Sequence, residues 1–238
     1  MVDAHCHLQD IPNFNVSNLE LAICSGASLE SSRQAIEIAT KHKNVYVTVG
    51  IHPEAIINDQ ASMINELKGL AREPKVVAIG ECGLDSDDPR EIDLLKLQVD
   101  LAKELNLPLV IHNRNQDQKI LDLVGDYPKV MLHCFTGNLD FMQKSVSRGW
   151  YISFGGILTF KKRDELREVA KLVPSDRLLT ETDAPYLAPE PLRGSPNIPA
   201  NVKIIAQLLA NLRGTSIDQI EAVTRKNCET LFSIPHPA

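Results

Sequence analysis

The chain has 238 residues, of which 25 are basic and 31 acidic, giving a formal net charge of −6. This length fits one large domain, which we assign to residues 1–238, and the acidic balance argues against an extended basic groove for duplex DNA. No apolar run reaches the roughly 18 residues of a membrane span, and the N-terminus lacks a secretory pattern. We therefore expect no membrane association.

The five cysteines are dispersed along the chain and include no Cys-x-x-Cys pair. Neither a disulfide framework nor a cysteine zinc cluster is expected, and a reducing, cytoplasmic location is favoured. The acidic composition still leaves room for a compact pocket that binds a phosphate group.

Short apolar runs alternate with longer amphipathic segments along the whole chain. In chain order, the runs are MVDAH, ELAICS, NVYVTVGIH, KVVAIGE, LPLVIH, KVMLHCF, WYISFGG and RLLTETD. Eight such runs separated by helix-like segments predict a parallel sheet that is covered by helices.

At least six of the intervening segments have helical periodicity. Clear examples are LESSRQAIEIATKH, EIDLLKLQVDLAKELN, NVKIIAQLLANLRG with Gly214 as C-terminal cap, and SIDQIEAVTRKNCETLF with Ser216 as N-cap. The first connection, from about Gln9 to Asn18, lacks this periodicity and predicts a loop or a single turn. The pattern favours an α/β protein of the (β/α)₈ TIM-barrel class with an abbreviated first βα connection, rather than a doubly wound sheet.

Residues that commonly bind metals stand where the apolar runs end. They are His5 and His7 after the first run, His52 after the third, Glu81 after the fourth, His112 after the fifth, His133 after the sixth and Asp183 after the eighth. Only His42 and His236 of the seven histidines lie elsewhere. Because the carboxyl ends of barrel strands meet on one face, we expect these side chains to converge.

Strand alternation orients the first pair. His5 and His7 face the same way, so both imidazoles can reach one cation at roughly 2.0–2.1 Å if it is zinc. Cys6, Cys82 and Cys134 each follow a proposed ligand by one residue, so we expect their thiols to point away as packing groups.

Each of these features alone has an ordinary structural explanation. A lone histidine is more often hydrogen-bonded than ligating, Glu81 can be a loop carboxylate, and Asp183 can cap the segment that follows. Together, many buried imidazoles and acids are costly without a partner, and a metal removes that cost. The donor set of histidine and carboxylate suits one or two divalent ions, which can be zinc, manganese or magnesium.

With these residues assembled, the chain resembles the TatD family of metal-dependent hydrolases in the amidohydrolase superfamily. The matching stretches are DAHCHL, VGIHPE, GECGLD, LPLVIHNR, LHCFTG, LLTETDAPYLAP and RGSPNIP. They occur in family order, and the resemblance covers nearly the whole chain.

The resemblance implies a role for each matching residue. The metal ligands would be His5, His7, Glu81, His112, His133 and Asp183. Glu81 would bridge two metals, and Asp183 would also accept a proton from the attacking water, so these two carboxylates are the catalytic candidates. His52, Arg114 and Arg193 resemble groups that bind substrate, and Asp3 would support the ligands from behind.

Three departures from the family pattern bear on the substrate. The first connection is short, which opens that side of the pocket. Ile198 replaces the glutamate of the common RNEP motif, although Asn197 remains. GECGLD continues into the acidic SDDPR, where members often place an aromatic residue, and this weakens stacking against a nucleobase there.

The family resemblance implies a deoxyribonuclease, often a 3′–5′ exonuclease, that acts on single DNA strands or ends; no obligate protein partner is evident. An alternative is a superfamily hydrolase that cleaves an amide or ester, such as an acylated amino acid or lactone. A third is a binding protein that retained the barrel. Lys161, Lys162 and Arg163 after the seventh strand are better explained as a solvated helix start than as a strand-binding patch.

Overall fold

The computed structural model describes residues 1–56 and 59–235, and His236 lies outside the described residues. The strands are β1 (Val2–Cys6), β2 (Leu21–Ser25), β3 (Val45–Val49), β4 (Val76–Leu84), β5 (Leu109–Asn113), β6 (Val130–Leu132), β7 (Tyr151–Phe154) and β8 (Leu178–Thr180). The helices are α1 (Leu29–Lys41), α2 (Gln60–Leu70), α3 (Pro89–Leu105), α4 (Asp117–Val124), α5 (Leu139–Ser147), α6 (Asp164–Leu172), α7 (Val202–Arg213) and α8 (Ile217–Phe232).

The eight strands form one parallel sheet in the order of the sequence, from β1 to β8. Two backbone hydrogen bonds close it: the amide of Asp183 donates to the carbonyl of His5 at 2.9 Å, and that of His7 donates to Ala184 at 2.7 Å. The predicted (β/α)₈ barrel is confirmed. This closure also brings two stretches of candidate ligands into direct backbone contact.

The first connection contains a single 3-10 turn, Leu8–Asp10, before the chain enters β2. The predicted abbreviation is therefore confirmed. Pro12 and the left-handed Asn13, with a φ of 54°, suit a loop rather than a helix.

The predicted helix caps are present at the two C-terminal helices. Gly214 ends α7 with a φ of 63°, a conformation that costs glycine little. Ser216 begins α8 with a capping box that includes Gln219. None of the helices in the described ranges is both long and apolar enough to cross a bilayer.

Alternate strand residues face the helices and the barrel interior. Ile111 packs in the cluster between sheet and helices, which turns its neighbour His112 toward the interior. Cys6 and Cys82 belong to the same outer cluster, so their thiols point away from the ligand candidates that precede them. Gly83 is required where β4 meets β5, because a Cβ there would lie 1.8 Å from the carbonyl oxygen of His112.

Candidate metal centre

The carboxyl end of the barrel collects six side chains that lie in or directly after β1, β4, β5 and β6, or in the segment after β8. They are His5, His7, Glu81, His112, His133 and Asp183, and all are buried except the half-buried His112. The structure therefore brings together all six residues that sequence reasoning selected as ligands. Their role as ligands remains a prediction.

The first group of donor atoms surrounds one point near β1. His5 Nε2 and His7 Nε2 lie 3.2 Å apart. Glu81 Oε2 lies 3.4 and 3.5 Å from these two nitrogens, and Asp183 Oδ1 lies 3.6 and 3.3 Å from them. Neighbouring ligands of a small cation at roughly 2.0–2.1 Å stand about 3.3 Å apart, which is close to these five distances. His5, His7 and Glu81 form one compact donor group, and Asp183 lies beside its two imidazoles.

The second group lies on the other side of Glu81. Its Oε1 is 3.3 Å from His112 Nδ1 and 3.0 Å from His133 Nε2, and these two nitrogens are 3.5 Å apart. The two oxygens of one carboxylate thus face different pairs of imidazoles. This arrangement suits a carboxylate that links two adjacent cation positions.

Ser25, the last residue of β2, holds the outer nitrogens of the first two imidazoles. His7 Nδ1 donates to the Ser25 carbonyl at 2.9 Å, and His5 Nδ1 is hydrogen-bonded to Ser25 Oγ at 3.1 Å. A carbonyl accepts only, so the proton of neutral His7 lies on Nδ1 and its Nε2 lone pair faces the centre.

Two carboxylates contact the outer ring nitrogens of the other two imidazoles. Asp85 Oδ1 lies 2.6 Å from His112 Nε2, and Glu181 Oε1 lies 3.2 Å from His133 Nδ1. Glu181 Oε1 also accepts the Cys134 amide at 2.7 Å. These contacts turn the inner nitrogens of both histidines toward Glu81, as ligation requires.

Sequence reasoning missed the roles of Ser25, Asp85 and Glu181. The same strand-end signal was available for Ser25, which closes the run ELAICS, and alternation places Glu181 on the same side as Asp183. Nothing in the spacing shows which imidazole each would contact.

Asp3, the expected supporting residue, contacts backbone and a hydroxyl rather than an imidazole. Its Oδ1 accepts the Thr182 amide at 2.8 Å and its Oδ2 accepts the Thr182 hydroxyl at 2.5 Å. A weaker contact of 3.4 Å joins it to the His5 amide. The hydrogen bonds of Asp3 therefore link β1 to the segment that carries Asp183.

The cluster holds ionised acids at neutral pH. Burial raises the pKa of Glu81, but the charge of His133 and hydrogen bonds from the imidazoles outweigh it and place the pKa well below its usual value. The pKa of Asp183 is lowered because contact with His7 outweighs the effect of burial. Burial lowers the pKa of His7, but the hydrogen bond to Asp183 and both carboxylate charges raise it to about 9. Without metal, the proton on His7 therefore balances part of the negative charge of Glu81 and Asp183. A bound divalent cation would neutralise this charge in its place.

The three predicted substrate-binding residues lie in different places. His52 borders the cluster, with Nε2 3.6 Å from Glu81 Oε1, while its Nδ1 accepts the Glu54 amide at 3.2 Å. Burial lowers the pKa of His52, which favours a neutral ring with its proton on Nε2. Arg114 is largely exposed and reaches the rim through Asp85, at 3.4 Å.

Arg193 does not join the cluster in this structure. Its guanidinium lies over the ring of Phe160, 4.2 Å from the centroid. Lys161, Lys162 and Arg163 are exposed immediately before α6, as expected for a solvated helix start.

Comparison with known proteins relates the whole chain to one family. A family model described as TatD related DNase matches residues 2–233. An uncharacterized metal-dependent hydrolase, YabD, of Bacillus subtilis is 33% identical over 253 residues, which cover 98% of this chain and 99% of YabD. A 3′-5′ ssDNA/RNA exonuclease TatD of Shigella flexneri is 38% identical over 226 residues, which cover 89% of this chain and 87% of that protein.

A solved structure supports the same assignment. The crystal structure of YJJV, a TatD homologue from Escherichia coli K12, matches with a TM-score of 0.88 and 30% identity, covering 99% of this chain and 98% of that one. Phosphotriesterase-like lactonases also match, with TM-scores such as 0.62 at 17% identity, and show a shared fold alone. The chain belongs to the TatD-related DNase family.

Proposed function

We propose that this protein is a metal-dependent phosphodiesterase that removes nucleotides from the 3′ ends of single-stranded DNA. The observation that carries the proposal is the placement of Glu81 between two pairs of imidazoles, in a chain whose relatives include a 3′-5′ ssDNA/RNA exonuclease. RNA ends present the same phosphodiester, so both nucleic acids belong in the test.

We assign two divalent cations to the cluster, with zinc, manganese and magnesium as candidates. His5, His7, Glu81 and Asp183 would hold the first, and Glu81, His112 and His133 the second. When bound, such ions lower the pKa of water from 15.7 toward about 7 and stabilise charge on phosphoryl oxygens. Two ions carry more positive charge than the two carboxylates neutralise, which makes the pocket locally positive in an acidic chain.

The remaining steps belong to the side chains. Asp183 accepts the proton of the attacking water, because its low pKa keeps it ionised and it sits beside the first group of donors. His52 donates a hydrogen bond from Nε2–H to a non-bridging phosphoryl oxygen at the border of the cluster. As water bonds to phosphorus, the P–O bond to the 3′ oxygen of the shortened strand breaks, and that oxygen receives the proton that Asp183 accepted from the water. Arg114, exposed at the rim, binds the flanking phosphate, for which its guanidinium fork is well suited.

A substrate panel tests the proposal. His112→Ala is expected to abolish release of nucleotides from a 3′-labelled single strand. His42→Ala is the control and retains release, because His42 lies at the carboxyl end of α1, before β3 begins, and is not part of the cluster. The panel also includes an RNA strand, an N-acyl amino acid and a lactone. Turnover of the acyl substrates without any phosphodiester cleavage contradicts the proposal and favours the amide or ester hydrolase.

A further inference from the structure

The segment between β8 and α7 exposes apolar side chains at the mouth of the barrel. Among the described residues, three of the six large hydrophobic side chains that are exposed belong to this segment: Tyr186, Leu192 and Ile198. Tyr186 is 52% exposed and Ile198 is 49% exposed. Ile198 stands where the family's RNEP motif has glutamate.

Tyr186 lies directly beside the proposed metal centre. Its ring meets the imidazole of His7 edge-on, with centroids 5.6 Å apart and planes inclined by 68°. Its hydroxyl donates to Asp10 Oδ2 at 3.1 Å, in the short connection after β1. The ring contact with His7 and the hydroxyl bond to Asp10 therefore position the Tyr186 side chain, while about half of its surface is exposed to solvent.

Asn197 fixes the backbone of Ile198 next to that of Tyr186. The fully buried Asn197 side chain donates to the carbonyl of Tyr186 at 2.8 Å and to that of Thr182 at 2.9 Å. Its Oδ1 accepts the Ile198 amide at 3.0 Å. One buried side chain thus ties the backbones of Tyr186 and Ile198 together beside the segment that carries Asp183.

We infer that Tyr186 and Ile198 form a subsite for the unpaired nucleobase of the terminal nucleotide. This inference rests on the proposed nuclease function. An open aromatic face binds a base by stacking, an interaction that tolerates all four bases because each has a π surface. The Tyr186 ring lies 5.6 Å from the His7 ring, so a base stacked on Tyr186 would lie within the length of one nucleotide of the proposed cation positions.

The opposite rim is chemically unsuited to this task. The β4–α3 connection carries Asp87 and Asp88 in place of an aromatic residue. A base that is paired in a duplex is already stacked and cannot present its face to Tyr186 without leaving the helix. The subsite therefore selects single-stranded ends over blunt duplex ends.

Two single strands that differ only at the 3′ nucleotide test the subsite, one with a normal base and one with an abasic tetrahydrofuran unit. The wild-type protein is expected to give a kcat/KM at least about tenfold higher on the base-bearing end. Tyr186→Leu removes the aromatic face, and Ile198→Glu adds a charge, so each brings this ratio toward one. Tyr186→Phe keeps the aromatic ring and is expected to retain most of the wild-type ratio.

Leu172→Ala is the matched control, since Leu172 is 58% exposed and is the last residue of α6, outside the segment between β8 and α7. It is expected to keep the wild-type ratio. Quenching of a 3′-terminal 2-aminopurine gives an independent readout of stacking in Asp183→Asn protein, and the quenching is lost when Tyr186→Leu is added.

The outcomes separate the two proposals. Cleavage of both strands at equal rates by wild-type protein and by Tyr186→Leu, with no quenching of 2-aminopurine, overturns the base subsite but keeps the nuclease. Absence of any cleavage in every divalent metal overturns both. A wild-type dimer that dissociates in Tyr186→Leu or Ile198→Glu, but not in Leu172→Ala, with the wild-type ratio of rates on the two strands already near one, identifies the apolar segment as a protein interface and overturns the subsite.

Discussion

Oε1 of Glu181 lies 3.2 Å from Nδ1 of His133, and this contact directs the other ring nitrogen of His133 to within 3.0 Å of Glu81. Glu181 is fully buried, and its second oxygen has no hydrogen-bond partner within the described residues. A buried carboxylate with one orphaned oxygen is costly to the fold, as is typical of a group that is present to orient a metal ligand.

Glu181→Gln is therefore expected to weaken divalent-metal affinity by roughly 10–100-fold, because a neutral amide oxygen holds the ring proton of His133 less strongly than the carboxylate does. Competition with a fluorescent chelator measures the affinity. Glu168→Gln, an exposed glutamate of α6, is the control and should bind metal as the wild type does. Equal affinities in both variants would show that Glu181 has only a packing role.

Asp183→Asn is expected to lower kcat on a single-stranded oligonucleotide by about 10²–10⁴-fold, because the amide cannot accept the proton of the attacking water. Metal binding should be weaker but present, since His5, His7 and Glu81 remain. Single-turnover kinetics at saturating metal separates the two effects. Asp140→Asn on the exposed face of α5 controls for charge, and a similar loss in that variant would rule out a specific role for Asp183.

Metal binding is expected to tighten as the pH rises. The hydrogen bond to Asp183 and the nearby carboxylates hold the pKa of His7 at about 9 despite burial, so a ligand proton must leave when a cation enters. Below that pH, affinity should rise about tenfold per pH unit for each proton released. Calorimetry in buffers of different ionisation enthalpy counts the protons, and a count of zero at pH 7 contradicts the assignment of His7 as a ligand.

Asp3 makes a testable contribution to stability in the chelated protein. Burial raises its pKa to about 8, although the bonds from Thr182 act in the opposite direction. The folded pKa thus exceeds the unfolded value of about 3.9, so the contribution is complete below that value and is lost as the pH rises through 8. The difference in unfolding free energy between wild type and Asp3→Asn should fall by about 1 kcal/mol per pH unit between pH 5 and 7. Parallel urea midpoints across this range contradict it.

The fold and the members of the cluster were predictable because both follow from the alternation of side chains along strands and from the topology of a parallel barrel. Alternation along β1 sends His5 and His7 to one side, and the parallel barrel collects strand ends at one face. The division of Glu81 between two imidazole pairs was not predictable, since it depends on where each carboxylate oxygen points. The contact of Arg193 with Phe160 likewise depends on tertiary packing rather than on order in the chain.

The central claim is that the six clustered side chains hold the cations that cleave phosphodiesters. Its most direct test is nucleotide release from a single strand by chelated protein, measured as metal is returned and the bound metal per chain is counted. Nucleotide release is expected to be absent without metal and complete at two equivalents per chain. In Glu81→Gln, neither the binding of two metals nor the release of nucleotides is expected to return. Full release by the chelated protein would contradict it.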